Sequence, residues 1–347
     1  MSSPRAVRLA TLLAGAAVVV TGCSGTASQP GASSPSTTAV PIATGAPSTS
    51  AEPSTPAPQP PPVRLVARIA GWQLPEARSR EVALSTAGGL VLAGGLSSAH
   101  VSTSTVWTLS ATDGRVLHTG ALAAAVHDTT GLVVHRVPYV IAGGNTTTVD
   151  DVQEISSGDT AQVVAHLPQP RSDLSAVSVG GAGYVLGGFD GTRSLSPVLR
   201  TADGRHFATV AQLRVTVRYA ALAAVTSPGG DKLLVFGGEH DGVPVDDVQQ
   251  VDLATGRTRI VGHLPHALAH EAAVEISGSV FLLGGRSNGQ LQSAMWRWDA
   301  TRHRAVAAGR LPYAVADAGA TVSGSTAFVL GGETPEPTAR VITVTAR

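Results

Sequence analysis

Six pairs of adjacent glycines divide most of this 347-residue sequence into repeats of similar length. Successive pairs are 44 to 50 residues apart, and each follows a short apolar run such as LVLAGG, YVIAGG or AFVLGG. The pairs are Gly94-Gly95, Gly143-Gly144, Gly187-Gly188, Gly237-Gly238, Gly284-Gly285 and Gly331-Gly332. A fixed period of this length, made of strand-like units, indicates a repeat architecture. The sequence therefore predicts an all-β propeller over about residues 63–347.

Every repeat has the same order of segments. An apolar strand a leads to strand b, which ends at the glycine pair; a polar loop then precedes strand c, and a short turn precedes strand d. The sixth repeat stops at Arg347, after its strand c. The segment VRLVARIA at 63–70 resembles the strand d before other repeats, as in TRIVGHLP at 258–265. We expect it to complete the last blade and close a ring with only short, protected edges.

The period, the glycine pairs and the apolar runs before them resemble the kelch repeat, over about residues 63–347. This resemblance implies a six-bladed β-propeller, and it specifies fold far better than function. The tyrosine and tryptophan that usually follow the glycine pair in kelch repeats are mostly absent, although Trp107 and Trp298 are partial matches on strand c. Kelch proteins similar to galactose oxidase carry a copper site with a tyrosine–cysteine crosslink. No cysteine follows Cys23, so that cofactor cannot form, and we expect no cofactor.

The N-terminal residues have the pattern of a bacterial export signal. Arg5 and Arg8 precede a twelve-residue apolar core, which is too short to span a bilayer as a helix. The sequence Val-Thr-Gly-Cys at 20–23 resembles the lipobox, in which cleavage before the cysteine exposes it to lipid attachment. Cys23 is also the only cysteine, so a disulfide within the chain is impossible. We expect a signal peptide at 1–22 and a lipid on Cys23 that anchors the protein to the outer face of the cytoplasmic membrane.

Residues 23–62 begin with that cysteine and continue as a stretch of Ser, Thr, Pro, Ala and Gly with a single charge, Glu52. Such a composition cannot bury a core, and we expect a disordered linker. At polyproline rise its length is about 120 Å, and as a coil about 35 Å. Either distance separates a folded domain at 63–347 from a membrane surface.

The charge of the chain is balanced, with 24 basic and 24 acidic residues. The sequence contains no cluster of basic residues, which argues against nucleic acid as a partner. We expect a monomer that binds an envelope glycan or an envelope protein.

The loops after strands b and d share one face of a propeller, because alternate strands run in opposite directions. Each repeat begins with Leu-Pro or a similar dipeptide. Five residues after the proline position of this dipeptide, every repeat has a polar or ionisable residue, which is predicted to lie on this face. These residues are Arg80, Asp128, Asp173, Tyr219, His270 and Asp317. We expect them to surround the mouth of a central channel, with Arg218 beside them. The outer rim is predicted to include Asp190, Glu239, His240, Asp241 and Arg286.

The functional interpretation of this set is a hydrogen-bonding pocket for a carbohydrate or a peptide, in which Arg80 and Arg218 hold a carboxylate. The competing interpretation is a channel mouth whose polar residues are merely solvated. An enzyme is the less favoured alternative: bacterial kelch propellers include a sialic-acid mutarotase, and His270, Asp173 and Asp317 could supply the acid and base for opening a sugar ring. A purely structural interaction module is the third alternative.

Two sets of residues have side chains that could bind a metal, and neither set has the arrangement that a metal site needs. His263, His266 and His270 have the spacing H-x2-H-x3-H, but they cross a strand end and a loop, where the imidazoles need not converge. Asp128, Asp173 and Asp317 come from different repeats, whereas calcium needs six or more oxygens close together. The sequence therefore predicts no metal.

Overall fold

The apolar run before each glycine pair forms a buried strand in the computed structural model of the protein. The structure describes residues 64–156, 160–227 and 229–347, which contain strands but no helix. Phe236, Phe281 and Leu330, each at the end of such a run or close to it, are fully buried. Both faces of these strands are covered, which explains why the runs are apolar at almost every position. The predicted signal peptide, Cys23 and the linker lie outside the described residues.

The chain enters the described region through a long strand, β1 (Leu65–Ser79). The first repeat then contains β2 (Val82–Thr86), β3 (Gly89–Ala93), β4 (Leu96–Ser97), β5 (Thr105–Leu109) and β6 (Val116–Ala121). The second contains β7 (Thr130–Val134), β8 (Val137–Gly144), β9 (Thr148–Ile155) and β10 (Ala161–His166). The third contains β11 (Ser172–Val179), β12 (Ala182–Phe189), β13 (Pro197–Thr201) and β14 (Ala208–Gln212).

The remaining repeats follow the same plan. The fourth contains β15 (Ala221–Val225), β16 (Lys232–Phe236), β17 (Glu239–His240), β18 (Val243–Pro244), β19 (Asp247–Asp252) and β20 (Thr258–His263). The fifth contains β21 (Ala272–Ile276), β22 (Ser279–Leu283), β23 (Arg286–Ser287), β24 (Gln290–Leu291), β25 (Ala294–Asp299) and β26 (Arg304–Arg310). The sixth contains β27 (Gly319–Ser323), β28 (Thr326–Leu330) and β29 (Thr338–Ala346).

Strands that are close in sequence are neighbours in the sheets. The first three repeats form four-stranded sheets with the orders β2-β3-β5-β6, β10-β9-β8-β7 and β11-β12-β13-β14. The fourth and fifth repeats share an eight-stranded sheet, in which one parallel residue pair, His263 with Arg304, joins β20 to β26. The short strands pair as β17 with β18 and β23 with β24. The described residues thus have the all-β, propeller-like arrangement that the glycine-pair repeat predicts.

The first and last strands of the described chain lie in one sheet, with the order β27-β28-β29-β1-β4. The pairing of β1 with β29 is antiparallel and runs from Leu65 opposite Ala346 to Ile69 opposite Ile342. Arg64 and Arg347 extend it by exchanging two backbone hydrogen bonds of 3.2 and 2.8 Å. The segment predicted to serve as the missing strand d is therefore paired with the strand c of the sixth repeat.

The apolar core lies between neighbouring repeats. Leu186 of the third repeat and Val235 of the fourth share one buried cluster, and Phe281, Val329 and Leu65 share another. The innermost strands, β2, β7, β11, β15, β21 and β27, line a central cavity of about 570 Å³. Within the described part of the chain, no helix is long and apolar enough to cross a bilayer.

Candidate functional site

A buried leucine anchors the loop that leads into the innermost strand of each repeat. The six leucines are 3 to 6% exposed: Leu74, Leu122, Leu167, Leu213, Leu264 and Leu311. Six residues after each one, the backbone is left-handed, with φ between 49° and 61°. The residues in this conformation are the six predicted from the spacing, Arg80, Asp128, Asp173, Tyr219, His270 and Asp317. Because the conformation is uncommon for a residue other than glycine, the repeated loop must impose it.

These six ring residues are connected through their main chains. Five of them donate their N–H to the carbonyl oxygen of the ring residue in the preceding repeat, over 2.8 to 3.1 Å. The pairs are Arg80 to Asp317, Asp173 to Asp128, Tyr219 to Asp173, His270 to Tyr219 and Asp317 to His270. The hydrogen bonds hold the six side chains around one mouth of the central cavity.

Side chains at this mouth form a chain of ion pairs, with N···O distances of 2.5 to 3.7 Å. In spatial order its members are His127, Asp128, Arg80, Glu333, Arg286, Asp317, His270, Glu239, Arg218 and Asp173. Glu239, Arg286 and Glu333 directly follow glycine pairs, and isolated bridges join all three to the loops that precede the innermost strands. The two kinds of loop therefore meet on one face.

The imidazole of His270 lies between two carboxylates. Its Nδ1 is 2.6 Å from Asp317 and its Nε2 is 3.4 Å from Glu239. Burial favours the neutral ring, but the hydrogen bonds and charges of the two carboxylates outweigh it and raise the pKa of His270 to about 9. Burial acts against ionisation of Asp317 as well. The hydrogen bond and charge of His270, together with Arg80 and Arg286, hold the pKa of Asp317 below its ordinary value.

The surroundings of Asp173, unlike those of Asp317, disfavour the ionised carboxylate. Burial and the nearby charge of Asp128 raise the pKa of Asp173 to about 7, although a hydrogen bond with Tyr219 and the charge of Arg218 partly compensate. Burial also raises the pKa of Asp128, against the charges of Arg80 and His127. Asp173 can therefore exchange a proton near neutral pH, as an acid or base in a site must do.

Tyr219 adds an aromatic surface to the ring. Its ring stacks on the imidazole of His270 with a centroid separation of 3.9 Å, and the guanidinium of Arg218 lies 5.3 Å from its centroid. Burial and the charges of Asp128 and Asp173 raise the pKa of its hydroxyl, which keeps the hydroxyl protonated as a hydrogen-bond donor. Sugars commonly bind through such a combination of an apolar ring face and polar groups.

The ring residues line a mouth cavity of about 130 Å³, and Glu81 and Glu271 lie at the same cavity. Both glutamates are more than 90% buried, and burial raises the pKa of each carboxyl to about 8. Glu81 Oε1 accepts a hydrogen bond from the Gly319 N–H, and hydrogen bonds from the backbone of Glu271 itself and of Ala221 partly oppose the rise in the pKa of Glu271. Oε2 of Glu81 and both oxygens of Glu271 are shielded from solvent. Sequence reasoning missed both. The sequence signal that could have identified them is an acidic residue directly after a ring residue.

A groove of about 600 Å³ adjoins the mouth cavity between the second and third repeats. Asp128, Asp173 and Tyr219 line both spaces. The groove is otherwise lined by His127, Gly144, Asn145, Thr146, Thr147, Thr148, Pro170, Ser172, Phe189, Asp190, Gly191 and Thr192. Arg218 lies 5.4 Å from the centroid of the Phe189 ring, which joins the groove to the ion-pair chain.

The predicted rim residues have different surroundings. Arg286 belongs to the ion-pair chain, as does Glu333, which the sequence analysis missed. Asp190 lines the groove, but its Oδ1 accepts hydrogen bonds from the N–H groups of Thr192 and Arg193, which fixes its own loop. His240 Nδ1 contacts Thr216. Asp241 has a side chain that is 76% exposed.

The two arginines predicted to hold a ligand carboxylate both contact carboxylates of the protein, and their role toward a ligand stays a prediction. Arg80 is paired with Asp128 and Glu333, and Arg218 is paired with Glu239 and Asp173. Both guanidinium groups thus contact carboxylates of the protein, and three of these four partners come from other repeats, where a local sequence pattern does not reveal them.

The three histidines of H-x2-H-x3-H do not form a metal cluster among the described residues. His270 belongs to the ion-pair chain, His266 packs against Trp296, and His263 lies beside Asp246 and Asp247. The described groups with metal-ligand spacing are Asp150, Asp151 and His166, and Asp246, Asp247 and His263. Both groups combine two half-buried aspartates with an exposed histidine, and none of these residues lines the mouth cavity.

Comparisons with known proteins agree with the fold. No protein-family model matches the chain, and no curated protein matches it. A solved structure titled "Structure of YjhT" is similar, with a TM-score of 0.65 and 16% sequence identity. The similarity covers 79% of this chain and 99% of that chain. At this identity the likeness supports a propeller fold and no more.

Proposed function

We propose that this chain is an extracytoplasmic lipoprotein whose six-bladed, kelch-like propeller binds a glycan of the cell envelope at the charged mouth. The count of six blades treats the eight-stranded sheet as two blades, one from the fourth repeat and one from the fifth. A single residue pair, His263 with Arg304, joins these two halves. In this count, β1 serves as the outermost strand of the sixth blade, beside β29.

The observation that carries the ligand proposal is the density of alternating donors and acceptors around a small cavity. Arginines, a histidine, a tyrosine hydroxyl and carboxylates all lie at the mouth, and Tyr219 adds an aromatic face. The mouth cavity and the groove together reach a volume within the roughly 300–1,000 Å³ typical of small-molecule sites. Because the guanidinium groups are already paired with carboxylates, a hydroxyl-rich ligand fits better than an anionic one.

A thermal-shift screen of the full-length chain against envelope sugars tests this proposal. Binding to the folded state raises the unfolding midpoint by mass action, so even a weak ligand is detectable at millimolar concentration. We expect at least one saccharide to raise the midpoint of the wild type and of the control Asp241→Asn, but not of Asp173→Asn. A midpoint that no saccharide changes would refute the glycan proposal and leave an envelope protein as the partner to seek by crosslinking.

The anchoring proposal rests on the residues before and at Cys23. Replacing Cys23 removes the thiol to which lipid is attached. We expect Cys23→Ala to move the protein from the membrane fraction to the soluble extracytoplasmic fraction, with Thr21→Ser as a control that keeps the thiol. Retention of Cys23→Ala in the membrane fraction would rule out lipid anchoring at this residue.

A sugar mutarotase is the second candidate, because Asp173 lies beside the Tyr219 hydroxyl and changes protonation near neutral pH. Ring opening needs one group to accept and another to donate a proton near the anomeric carbon. NMR measurement of the anomerisation of sialic acid tests this candidate. A rate faster than the buffer control, and lost in Asp173→Asn, would favour the enzyme; equal rates would eliminate it.

A further inference from the structure

The buried strand of each repeat has one position whose side chain packs toward the next repeat. This position lies three residues before the first left-handed residue at the end of the strand, where φ is between 53° and 67° in every repeat. In the second repeat that left-handed residue is Ala142, with φ of 55°. From the first repeat to the sixth, the position is occupied by Val91, Tyr139, Tyr184, Leu234, Phe281 and Phe328. Four of the six side chains are therefore aromatic.

Aromatic side chains at this level fill the boundaries between neighbouring repeats. Tyr139 of the second repeat shares a buried cluster with Val185 of the third. Where the fourth repeat has Leu234 instead, the same cluster contains Phe236 and Trp298, whose ring centroids are 5.5 Å apart. Among the described residues, five of the six boundaries thus have at least one buried aromatic side chain.

The boundary between the first and second repeats is the exception. Its buried cluster, as far as the structure describes it, consists of aliphatic side chains such as Val91, Val140 and Ile155. A cleft of about 810 Å³ lies at this boundary. The apolar lining of this cleft is formed by Val91, Val133, Val137, Pro138 and Ile155. Because protein interiors are otherwise closely packed, the apolar cleft marks the place of the missing aromatic ring.

The apolar cleft is separate from the charged mouth. It lies at the turns that end the innermost strands β2 and β7, whereas the ring residues precede the innermost strands. None of its lining residues lines the mouth cavity or the groove beside it. Its volume is within the roughly 300–1,000 Å³ typical of small-molecule sites. The cleft is therefore a candidate for a second binding site.

The charged groups at the apolar cleft indicate the charge of its ligand. Arg136 lines the cleft, and no ion pair or side-chain hydrogen bond within the described part of the chain involves it. The acidic residue at the cleft, Glu154, is already paired with Arg205 at 2.8 Å. His118 also lines the cleft and carries a positive charge when protonated. An anionic group on the ligand would complement this edge of the cleft.

We propose that the apolar cleft binds a small aromatic carboxylate of two fused rings, with its rings between the first two repeats and its carboxylate at Arg136. The rings take the place that aromatic side chains of the protein occupy at the other five boundaries, and they bury a large apolar surface. The carboxylate forms charge-assisted hydrogen bonds with the guanidinium. This inference goes beyond the glycan function and does not depend on it, because it concerns a different cavity.

Titration calorimetry of the full-length chain tests the inference with three probes: 2-naphthoate, its neutral analogue 2-naphthamide, and octanoate, an anion without a ring. We expect 2-naphthoate to bind about fivefold more tightly than 2-naphthamide, which is the effect of one partly exposed ion pair. It should also bind more tightly than octanoate. Arg136→Gln should abolish the preference for the anion, whereas Arg115→Gln, at an exposed arginine that does not line the cleft, should keep it.

Val91→Phe tests the position of the rings, because it gives the first repeat the kind of side chain that four other repeats have. The new ring should occupy the cleft and weaken the binding of 2-naphthoate at least tenfold. Val116→Phe is the matched control, since Val116 belongs to the same repeat, is 39% exposed and does not line the cleft. If Val91→Phe fails to fold, the comparison of Arg136→Gln with Arg115→Gln still tests the site.

Three results would overturn the inference: no binding of 2-naphthoate, octanoate binding as tightly as 2-naphthoate, or undiminished binding of 2-naphthoate by a folded Val91→Phe variant. Each of them would leave the glycan function intact. Asp173→Asn, which changes the charged mouth, should bind 2-naphthoate as the wild type does. A loss of 2-naphthoate binding in that variant would instead place this ligand in the mouth and overturn its assignment to the apolar cleft.

Discussion

At the scale of the residue, the six ring positions show how a local conformation prepares a site. Aspartate and histidine tolerate left-handed backbone better than most residues, and four of the six ring residues are of these two types. Their positions could be predicted because a buried leucine fixes the start of every loop. Their φ angles and ion-pair partners could not be predicted, since partners such as Glu333 lie up to 253 residues away in sequence.

The buried glutamates give a prediction about stability. Glu81 and Glu271 have a pKa of about 8 in the folded chain, against an ordinary value of 4.5. The unfolded chain therefore loses these protons first, and the free energy of unfolding falls as pH rises from about 4.5 to about 8. We expect the double variant Glu81→Gln, Glu271→Gln to lose most of this decrease, which amounts to at most about 5 kcal/mol per carboxyl.

Urea unfolding at pH 5 and pH 9 measures the effect. Glu275→Gln is the matched control, because the exposed Glu275 lies on β21, the strand that begins directly after Glu271. Raised pKa values of His270 and Asp173 act in the same direction, so part of the decrease with pH should remain in the double variant. A wild type that is equally stable at both pH values would contradict the protonated state of the glutamates.

At the scale of the element, the glycine pairs end each buried strand where the backbone approaches the neighbouring loop. Gly238 has φ of +89°, and a Cβ there would lie 2.7 Å from the Arg218 carbonyl oxygen and 2.9 Å from the Ala220 Cβ. Gly289 has φ of +73° with no atom within 4 Å of such a Cβ. The two positions separate the effect of crowding from that of backbone conformation.

We expect Gly238→Ala to lower the free energy of unfolding by about 3 kcal/mol or more, because backbone atoms must move. Gly289→Ala, the matched control, should cost about 1 kcal/mol for its positive φ alone. Equal losses measured by urea unfolding would mean that conformation, rather than close approach, explains the glycine pairs.

The pairing of β1 with β29 predicts that the N-terminal strand stabilises the whole domain. Deleting residues 64–70 removes the ladder from Leu65 to Ile69 and exposes an edge of β29. We expect the midpoint of thermal unfolding to fall by about 10 °C, which corresponds to roughly 3 kcal/mol or more in a domain of this size. Deleting residues 40–46, within the predicted linker, is the control and should leave the midpoint unchanged. An unchanged midpoint in the first variant would contradict ring closure by this strand.

The strands themselves were largely predictable from the period and the apolar runs. The segment at 63–70 was predicted to pair with the last strand, but its continuation to Ser79 was not, because the register shifts near Gln73 and Arg78 interrupt the apolar pattern. Arg78 is fully buried at such a shift, although its charge suggests exposure. Its guanidinium donates to the Gly94 carbonyl and stacks over Trp107, contacts that no local pattern indicates.

At the scale of the whole molecule, symmetry explains which part of the site could be predicted. Six equivalent loops bring six residues to one mouth, and a count along the sequence finds them. The ion-pair chain breaks that symmetry, because its members come from two kinds of loop and differ in charge from repeat to repeat. The groove beside the mouth depends on the shapes of the second and third repeats, which the repeat pattern alone does not specify.

A crystal structure of the protein grown with the saccharide that most raises its unfolding midpoint is the most direct test of the proposed site. We expect electron density for the sugar in the mouth cavity, within hydrogen-bond distance of Asp173 and the Tyr219 hydroxyl. Density that lies instead in another described cavity, such as the largely apolar one lined by Val91, Pro138 and Ile155, would contradict the assignment of the site to the charged mouth.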